Sequence, residues 1–351
     1  MSDYIVAMSG GVDSSVAAAL LLEKSYSIQG VILHLWGDEI NDLSVPTKGS
    51  LEKAVTIAKT LGINIEIVDS RAMFKKYVID QFINGYVNGY TPNPCIICNK
   101  FIKFGILNQF SKNWDKTNIV TGHYARIIQT ENNDYQLFKG VDKIKDQSYF
   151  LSMLEQSQLK RISFPLGGLK KDEVWNLAQK YHIELWERSE SQDLCFLKNI
   201  DYREFLLTNV GDIIKPGKIT DRAGNMLGSH NGLAYYTIGQ RKGLGVNSKE
   251  PLFVLEKDIE NNILVIGRRE ELGKKHLFIK KFNWISGCPT EKTFQADVKI
   301  RSMAKLEQAF IYPSPDFSIN IEFENLLRDI TPGQYAVIYL GDQVLGGGEI
   351  A

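Results

Sequence analysis

The sequence predicts an α/β unit built on a parallel sheet, followed by two smaller β units. Strand-like and helix-like segments alternate through residues 1–200, which is typical of a parallel sheet with helices on its faces. Frequent glycine turns then separate short segments, and the last part of the chain alternates apolar and polar residues. A length of 351 residues suits two or three units that each bury a core.

The first unit begins with an apolar run at residues 4–8, which stops at Ser9-Gly10-Gly11 and is followed by a strong helix former at residues 16–22. This order predicts strand, tight turn and helix. Further strands are predicted at residues 30–35, 63–68 and 119–121, helices at 51–61 and 171–181, and a hairpin tip at 130–135.

Two β units are predicted after residue 200. Glycines between residues 211 and 245 bound short segments such as 233–238, which we interpret as a strand. Alternation at residues 295–300, 318–323 and 335–340 predicts half-buried antiparallel strands of a small barrel or sandwich. The predicted domain boundaries are therefore 1–200, 201–275 and 276–351.

Composition excludes several classes of protein. The 44% hydrophobic and 23% charged residues are unlike a disordered chain. Because 41 basic residues balance 41 acidic ones, overall charge does not attract polyanions, although local basic patches remain compatible with this balance. The apolar run at residues 16–22 is too short to span a bilayer, and the first residues lack a basic leader, so we expect a cytoplasmic protein without membrane contact.

The four cysteines are Cys95, Cys98, Cys195 and Cys288, too few for a disulfide scaffold in a chain of this length. We therefore predict that any thiol chemistry is local and catalytic. Cys288, within Trp-Ile-Ser-Gly-Cys-Pro, is interpreted as a small buried hydrophobe.

Residues 9–15, Ser-Gly-Gly-Val-Asp-Ser-Ser, lie between the first predicted strand and helix. Backbone N–H groups and the helix dipole converge on an anion at such a junction, so phosphate is the expected ligand. The P-loop and dinucleotide-binding glycine motifs are both missing from the sequence. The structural alternative is a glycine turn with a serine or aspartate cap.

This loop resembles the pyrophosphate-binding loop of the ATP pyrophosphatase superfamily, whose members split ATP between the α and β phosphates and adenylate a substrate oxygen. Further motifs occur in order at residues 93–100, 121–126, 145–151, 191–196, 236–244 and 331–334. With this loop and these motifs, the chain resembles the tRNA-specific 2-thiouridylases, the MnmA family, and the resemblance covers nearly the whole chain.

The resemblance implies an adenine-nucleotide α-hydrolase-like (PP-loop) domain followed by two small β domains, the last of them a β-barrel that contacts tRNA. It implies ATP-dependent replacement of the C2 oxygen of a tRNA wobble uridine by sulfur, with AMP and pyrophosphate as by-products. Its partners are tRNA and a persulfide-carrying sulfur donor protein, and its cofactors are ATP and Mg²⁺. Asp13 is the candidate for the Mg²⁺ that screens the phosphates. The implied ATP-binding residues are Ala7, Met8, Ser9, Gly10, Gly11, Val12, Asp13, Ser14, Leu33 and Gly122.

By the same resemblance, Cys195 carries the persulfide, and Cys98 is the partner thiol that forms a transient disulfide with it. The chemistry needs two thiols, because a persulfide delivers its outer sulfur and a second thiolate releases it. We expect Lys100, Lys103 or a helix start at Cys98 to lower the thiol pKa.

Cys95 departs from the family, which usually carries aspartate in this Asn-Pro-Asp motif. A thiol with an ordinary pKa cannot replace an ionised carboxylate at neutral pH, so the general base is left open. Cys95, Cys98 and Cys195 together are also compatible with a [4Fe–4S] cluster, although persulfide chemistry is favoured.

The tRNA side follows from charge and resemblance. Residues 95–126 hold five basic residues against one acidic, and residues 271–305 hold eight against three, so both stretches are candidate phosphate-binding surfaces or simply solvated faces. Asp146 is alternatively a helix cap. The resemblance implies that tRNA or its target base contacts Asn93, Pro94, Cys95, His123, Lys145, Asp146, Gln147, Arg301 and Gln334.

Two other functions compete with thiolation. An ATP-dependent amide ligase would need an ammonia source, and the sequence has no glutaminase nucleophile motif. A non-catalytic tRNA-binding protein would not require the phosphate loop together with Cys195.

Overall fold

The computed structural model describes residues 3–36, 49–113, 118–183, 194–197, 200–328 and 330–351. Residues 191–193, the first part of the motif around Cys195, lie outside the described residues.

A parallel sheet forms the centre of the first unit, as the alternation of strands and helices predicts. Its strand order is β3-β2-β1-β4-β7, and β5 and β6 form a separate antiparallel hairpin. Because β2 and β4 lie on opposite sides of β1, the carboxyl ends of β1 and β4 form the switch point of the sheet, where the crevice of an open α/β sheet binds ligands. The strands are β1 (Tyr4–Ala7), β2 (Ile28–His34), β3 (Ile65–Asp69), β4 (Asn118–Val120), β5 (Ala125–Gln129), β6 (Tyr135–Lys139) and β7 (Ile162–Ser163).

Helices cover this sheet, and α1 packs through Val16 and Ala17 onto a core shared with Val6 and Ile32. Within the described ranges, no helix is both long and apolar enough to traverse a lipid bilayer. The α-helices are α1 (Val12–Glu23), α2 (Ser50–Leu61), α3 (Arg71–Phe74), α4 (Asp80–Val87), α5 (Pro94–Ile97), α6 (Phe104–Asn113), α7 (Gln156–Leu159), α8 (Lys171–Lys180) and α9 (Tyr202–Val210). The chain also forms π-helical turns at Lys75–Ile79 and Cys98–Lys103, and 3₁₀ turns at Ser148–Leu151, Gly211–Ile213, Leu233–Tyr235 and Arg269–Leu272.

The central unit is a small sheet with the order β10-β11-β8-β9, formed by β8 (Gly217–Thr220), β9 (Met226–His230), β10 (Phe253–Asp258) and β11 (Ile263–Gly267). The strand predicted at residues 233–238 is wrong, because this segment contains a 3₁₀ turn in which Tyr235 N–H bonds to the Gly232 carbonyl. Leu233 and Tyr236 are nevertheless buried in the core of this unit. A short apolar run predicts that a segment is buried, but it does not predict whether the segment is a strand or a turn.

The last unit is a closed barrel rather than a sandwich, since β12 pairs with both β15 and β17 at the ends of the order β12-β15-β14-β13-β16-β17. Closure depends on glycine, because a Cβ at Gly346 would lie 2.0 Å from the Asn283 carbonyl oxygen. The strands are β12 (Lys274–Trp284), β13 (Phe294–Lys299), β14 (Glu307–Pro313), β15 (Ile319–Leu327), β16 (Tyr335–Leu340) and β17 (Gln343–Ile350).

The barrel is joined to the first unit through β6, which pairs with β17 in the register Leu137↔Val344. The β5–β6 hairpin confirms the predicted tip at residues 130–135. Strand β16 is buried on both faces: Ala336 and Ile338 belong to the barrel core, whereas Tyr339 packs in the core of the first unit. The alternation in this strand therefore reflects two different buried environments, one on each face of β16, rather than one buried face and one solvent-exposed face.

Candidate active site

The loop between β1 and α1 has the backbone geometry of an anion site. Gly10 has a positive φ of 76°, which turns the chain from the strand into the helix. The Ser9 and Ser14 hydroxyls lie 3.2 Å apart, and Ser14 Oγ donates to the Gly11 carbonyl at 3.0 Å. The first N–H groups of α1 have no carbonyl one turn earlier to bond, so they can bind phosphate oxygens.

Gly122 lies directly against this loop. A Cβ atom at Gly122 would lie 2.6 Å from the Asp13 carbonyl carbon and 2.7 Å from the Ser14 nitrogen, so any other side chain would displace one of the loops. Leu33, near the end of β2, is half-buried between two apolar clusters. The structure thus brings Gly122 to the predicted phosphate loop, while Leu33 has a packing role that is compatible with lining a pocket.

Asp13 connects the loop to α8. Its Oδ1 accepts hydrogen bonds from the Tyr124 hydroxyl at 2.7 Å and from Lys171 Nζ at 2.7 Å, and Lys171 Nζ lies 2.9 Å from Oδ2. Lys171 balances the charge of this carboxylate in the free protein, and the role of Asp13 as a Mg²⁺ ligand stays a prediction. Sequence reasoning missed Tyr124 and Lys171, since nothing in their local pattern marks them as partners of a distant aspartate.

Cys95 and Cys98 lie on one continuous helical stretch formed by α5, the π-turn at Cys98–Lys103 and α6. Pro94 occupies the first turn, where its missing N–H costs nothing. Cys95 is half-buried and Cys98 is buried. Residues three apart on a helix share one side, so the two thiols face the same region.

Cys195 is positioned from a remote part of the chain by its neighbour Phe196. The Phe196 ring packs against Phe82 at 5.1 Å, Phe205 at 5.4 Å and Phe74 at 6.1 Å between centroids. This aromatic cluster also contains Cys98. Cys195 remains exposed to solvent and interacts electrostatically with both Cys95 and Cys98, so the fold brings the three thiols into one neighbourhood.

The expectation of lowered thiol pKa values is wrong for the free protein. Burial raises the pKa of Cys95, and raises the pKa of Cys98 to about 12. The pKa of Cys195 is also raised, because the surrounding protein removes part of the water around its sulfur even though the residue is exposed. The Lys103 ammonium opposes all three shifts. Cys98 is not at a helix start, which lies at Pro94. Lys100 is directed elsewhere, since its Nζ pairs with Glu155 at 3.2 Å.

The thiols do not form a metal-binding set. Among the residues for which the structure gives positions, no three cysteine, histidine or acidic side chains are grouped so that they could hold a metal ion. The arrangement therefore does not fit the [4Fe–4S] hypothesis, and no step below uses a cluster. Cys288 is exposed on a turn after β12, where its N–H donates to Ser286 Oγ, so the prediction that it is buried is wrong.

His123 is connected both to the nucleotide loop and to the thiols. It directly follows Gly122, and the Lys103 ammonium that acts on the three thiols also acts on its imidazole. Its Nδ1 lies 2.7 Å from Thr121 Oγ1, and its ring packs 5.7 Å from the centroids of Phe104 and Phe164. Burial, reinforced by Lys103, holds the pKa of His123 well below its usual 6.5. The imidazole is therefore neutral at physiological pH.

The predicted target-base residues 145–147 are held by protein contacts. Asp146 Oδ1 accepts from Gly140 N–H at 3.0 Å and from Ser148 N–H at 3.1 Å, but the cap position of the 3₁₀ turn at Ser148–Leu151 is Gln147, so the prediction that Asp146 is the helix cap is wrong. Gln147 Oε1 accepts from Tyr124 N–H at 3.0 Å. Lys145 N–H donates to Asp142 Oδ1 at 3.1 Å. Their contacts with tRNA stay predictions.

Arg301 and Gln334 hold the barrel against the other units. Gln334 Nε2 donates to the Thr91 carbonyl at 2.8 Å, just before Asn93. Arg301 Nη2 donates to Thr331 Oγ1 within the last unit and to the Ile238 carbonyl of the central unit at 3.5 Å. Asn93 in turn hydrogen-bonds the Tyr149 side chain. These two predicted tRNA contacts thus lie beside the segment that carries Cys95, and contact with tRNA itself stays a prediction for both.

Family models match the chain in three consecutive parts. Residues 2–199 match the tRNA methyl transferase HUP domain, residues 203–268 the tRNA methyl transferase PRC-barrel domain, and residues 274–350 the aminomethyltransferase beta-barrel domain.

Curated relatives align over the full length. The tRNA-specific 2-thiouridylase MnmA of Chloroflexus aurantiacus is 41% identical, covering 100% of this chain and 99% of its own. The tRNA-specific 2-thiouridylase MnmA 2 of Caldanaerobacter subterraneus is 42% identical, covering 99% and 97%. The solved U34-tRNA thiolase NcsA from Methanococcus maripaludis, with its [4Fe–4S] cluster, is 20% identical with a TM-score of 0.34 and covers 60% of this chain and 64% of its own.

Proposed function

Because the chain belongs to the tRNA-specific 2-thiouridylase (MnmA) family, we propose that it catalyses ATP-dependent 2-thiolation of the wobble uridine of tRNA. The observation that carries this proposal is the convergence of Cys195 on Cys98, in a neighbourhood that Lys103 and His123 connect to the nucleotide loop. A tRNA sulfurtransferase needs an adenylating site and two cooperating thiols, and these features supply both.

Activation of the uridine is assigned to the crevice between the β1 and β4 loops. The N–H groups at the start of α1, with Ser9 and Ser14, bind the ATP phosphates, and Gly122 allows the second loop to approach. Attack of the uridine O2 on the α phosphorus expels pyrophosphate and converts a poor leaving group into AMP. Lys171 and Tyr124 contribute by fixing Asp13 and hence the start of α1.

Sulfur transfer is assigned to Cys195 and Cys98. A donor protein loads the exposed Cys195 with a second sulfur, whose outer atom adds to C2 as AMP leaves. The Cys98 thiol then attacks Cys195 Sγ and breaks the S–S bond, and its proton passes to the departing 2-thiouracil anion. The outer sulfur stays on C2 as a thiocarbonyl, and the two electrons it gains come from formation of the Cys98–Cys195 disulfide.

Proton acceptance is assigned to His123 rather than to Cys95. Burial raises the pKa of the Cys95 thiol, so it remains protonated at neutral pH and cannot take the role of the family's aspartate. Activation at O2 releases the N3 proton of uridine, and the neutral His123 imidazole has a lone pair to accept it in transit, since its lowered pKa makes it pass the proton on rather than keep it. When Nδ1 donates to Thr121 Oγ1, that lone pair lies on Nε2.

The tRNA surface is assigned to the side of the molecule where the barrel meets Thr91 and Asn93. Wobble uridine must leave its stack to expose C2, and Asn93, Pro94, Cys95 and Gln147 would line the receiving pocket. Arg301 and Gln334 extend this surface onto the barrel, so the barrel and the first unit would hold the anticodon loop together.

Transfer of labelled sulfur from a persulfide donor into tRNA, followed by nucleoside analysis, tests this function directly. We expect ATP-dependent 2-thiouridine with the wild type and the Cys288→Ser control. Cys195→Ser and Cys98→Ser should still bind tRNA and form no product. Full activity of Cys195→Ser would overturn the proposal, whereas ATP-dependent amidation of a substrate would favour the ligase alternative.

A further inference from the structure

Cys95 supplies a third thiol that the sulfur-transfer scheme does not use. It lies three residues before Cys98 on the same helical stretch, and both Cys95 and Cys98 interact electrostatically with Cys195. Among the residues described this set is not grouped as a metal site, and the inference uses the chemistry of the thiols.

We propose that Cys95 is a resolving thiol that attacks Cys98 in the Cys98–Cys195 disulfide, forms a Cys95–Cys98 disulfide and releases Cys195. The inference rests on the proposed persulfide mechanism, which produces that disulfide. The exchange is balanced: one S–S bond forms as another breaks, the Cys95 thiol loses its proton, and Cys195 leaves as a thiolate.

Helix geometry favours the new bond. Residues three apart on a helix have Cβ atoms about 5–6 Å apart, and a disulfide needs roughly 3.5–4.5 Å, so a small shift is sufficient. Cys95 is in the first turn, where Asn93 is already non-helical with φ −112° and ψ 89°. The helix can therefore adjust at this end without disturbing α6.

Burial favours Cys95 over an external thiol for attack on the Cys98 sulfur. Cys98 is buried, so an external reductant has poor access to the Cys98 sulfur of the disulfide. Cys95 is half-buried on the same side of the helix and approaches that sulfur from within the protein. Lys103, which acts on all three thiols, favours both the attacking and the leaving thiolate.

The exchange separates the reloading of Cys195 with sulfur from the reduction of the disulfide. Exchange returns the exposed Cys195 to its free form, ready for another sulfur, while the oxidation is stored on the Cys95-x-x-Cys98 pair. A dithiol reductant then restores that pair.

The test follows exchange without tRNA or ATP, so its failure is distinguishable from failure of tRNA thiolation. In a Cys288→Ser background, Cys195 is converted to its mixed disulfide with thionitrobenzoate, whose release reports attack by Cys98. The products are then alkylated with iodoacetamide and mapped by peptide mass spectrometry.

We expect alkylated Cys195 and a Cys95–Cys98 disulfide in this background. With Cys95→Ser or Cys95→Ala added, thionitrobenzoate should still be released, but Cys195 should remain blocked in a Cys98–Cys195 disulfide. Thermal melting checks that each variant is folded. A Cys98–Cys195 disulfide in the protein that retains Cys95, or no release from it, would overturn the proposal.

Discussion

Lys103 lies five residues after Cys98 at the other end of a single π-helical turn, and its ammonium group acts on the Cys98 thiol. In an α-helix residue i+5 is about 140° away from residue i, whereas the wider π-turn, with its i→i+5 hydrogen bonds, returns it close to the same side. The irregular helix is therefore what gives the three thiols a shared cation.

Removing this cation should make the thiols less reactive. Lys103→Met is expected to raise the pKa of Cys195 further and to slow its alkylation at pH 7.5 by roughly three- to tenfold, because a smaller fraction of the thiol is then ionised. The alkylation rate as a function of pH measures this. Lys103→Arg should largely restore the alkylation rate. Lys100→Met should leave the rate unchanged, because the Lys100 ammonium pairs with Glu155 rather than with the thiols. Equal effects at both lysines would contradict the assignment.

Gly122→Ala should weaken ATP binding. The added methyl group would lie 2.6 Å from the Asp13 backbone and must displace the phosphate loop, so we expect at least about tenfold weaker binding, equivalent to 1.4 kcal/mol. Calorimetric titration with ATP measures the change. Gly168→Ala is the matched control, because its methyl group meets no heavy atom within 4 Å. Unchanged ATP affinity in Gly122→Ala would argue against phosphate binding at this loop.

The Asp13–Lys171 pair should contribute to stability. The Lys171 side chain is only 12% exposed, so Lys171→Met leaves a partly buried carboxylate with one partner fewer and should cost about 1–2 kcal/mol. Urea denaturation measures the free energy of unfolding. Lys180→Met breaks the exposed pair with Glu23 and should cost less than about 1 kcal/mol. A smaller loss at Lys171 than at Lys180 would refute this role.

Phe196→Ala should loosen Cys195 from its neighbours. Loss of the buried ring should cost about 3 kcal/mol, and should slow formation of the Cys98–Cys195 disulfide after Cys195 is labelled with thionitrobenzoate. Phe101→Ala, which truncates an exposed ring, is the control. If Phe196→Ala formed the disulfide at the control rate, the aromatic cluster would not be what positions Cys195.

His123 should make the folded state sensitive to mild acid. Burial lowers the pKa of His123 in the folded state. Below pH 6.5 the imidazole is therefore protonated in the unfolded chain but not in the folded protein, and the free energy of unfolding decreases as the pH falls. Between pH 7 and 5.5 this loss is at most about 1 kcal/mol. His123→Gln should remove that part of the pH dependence in urea denaturation, and exposed His276→Gln should not. The same slope in both variants would show that His123 does not cause it.

Local patterns in the sequence were sufficient for the parallel sheet, the loop at residues 9–15, the hairpin tip and the barrel strands. Each of these depends on periodicity or on turn residues that are close together in the chain. The strand predicted at residues 233–238 is wrong, because an apolar run predicts burial but does not specify the backbone conformation. The ordered motifs also named Cys98 and Cys195 as a pair, although nothing local explains why they should meet.

Only the tertiary structure decided how the site is assembled. Asp13 and Lys171 are 158 positions apart, and Cys195 reaches Cys98 because Phe196 is buried in a distant aromatic cluster. The thiol pKa values are raised rather than lowered because the effect of burial is larger than that of the Lys103 ammonium. Burial depends on the packing of the whole fold and is not visible in the adjacent residues of the sequence. The sequence by itself determined which chemical groups this protein has, and long-range packing decided which of them meet and in what protonation state.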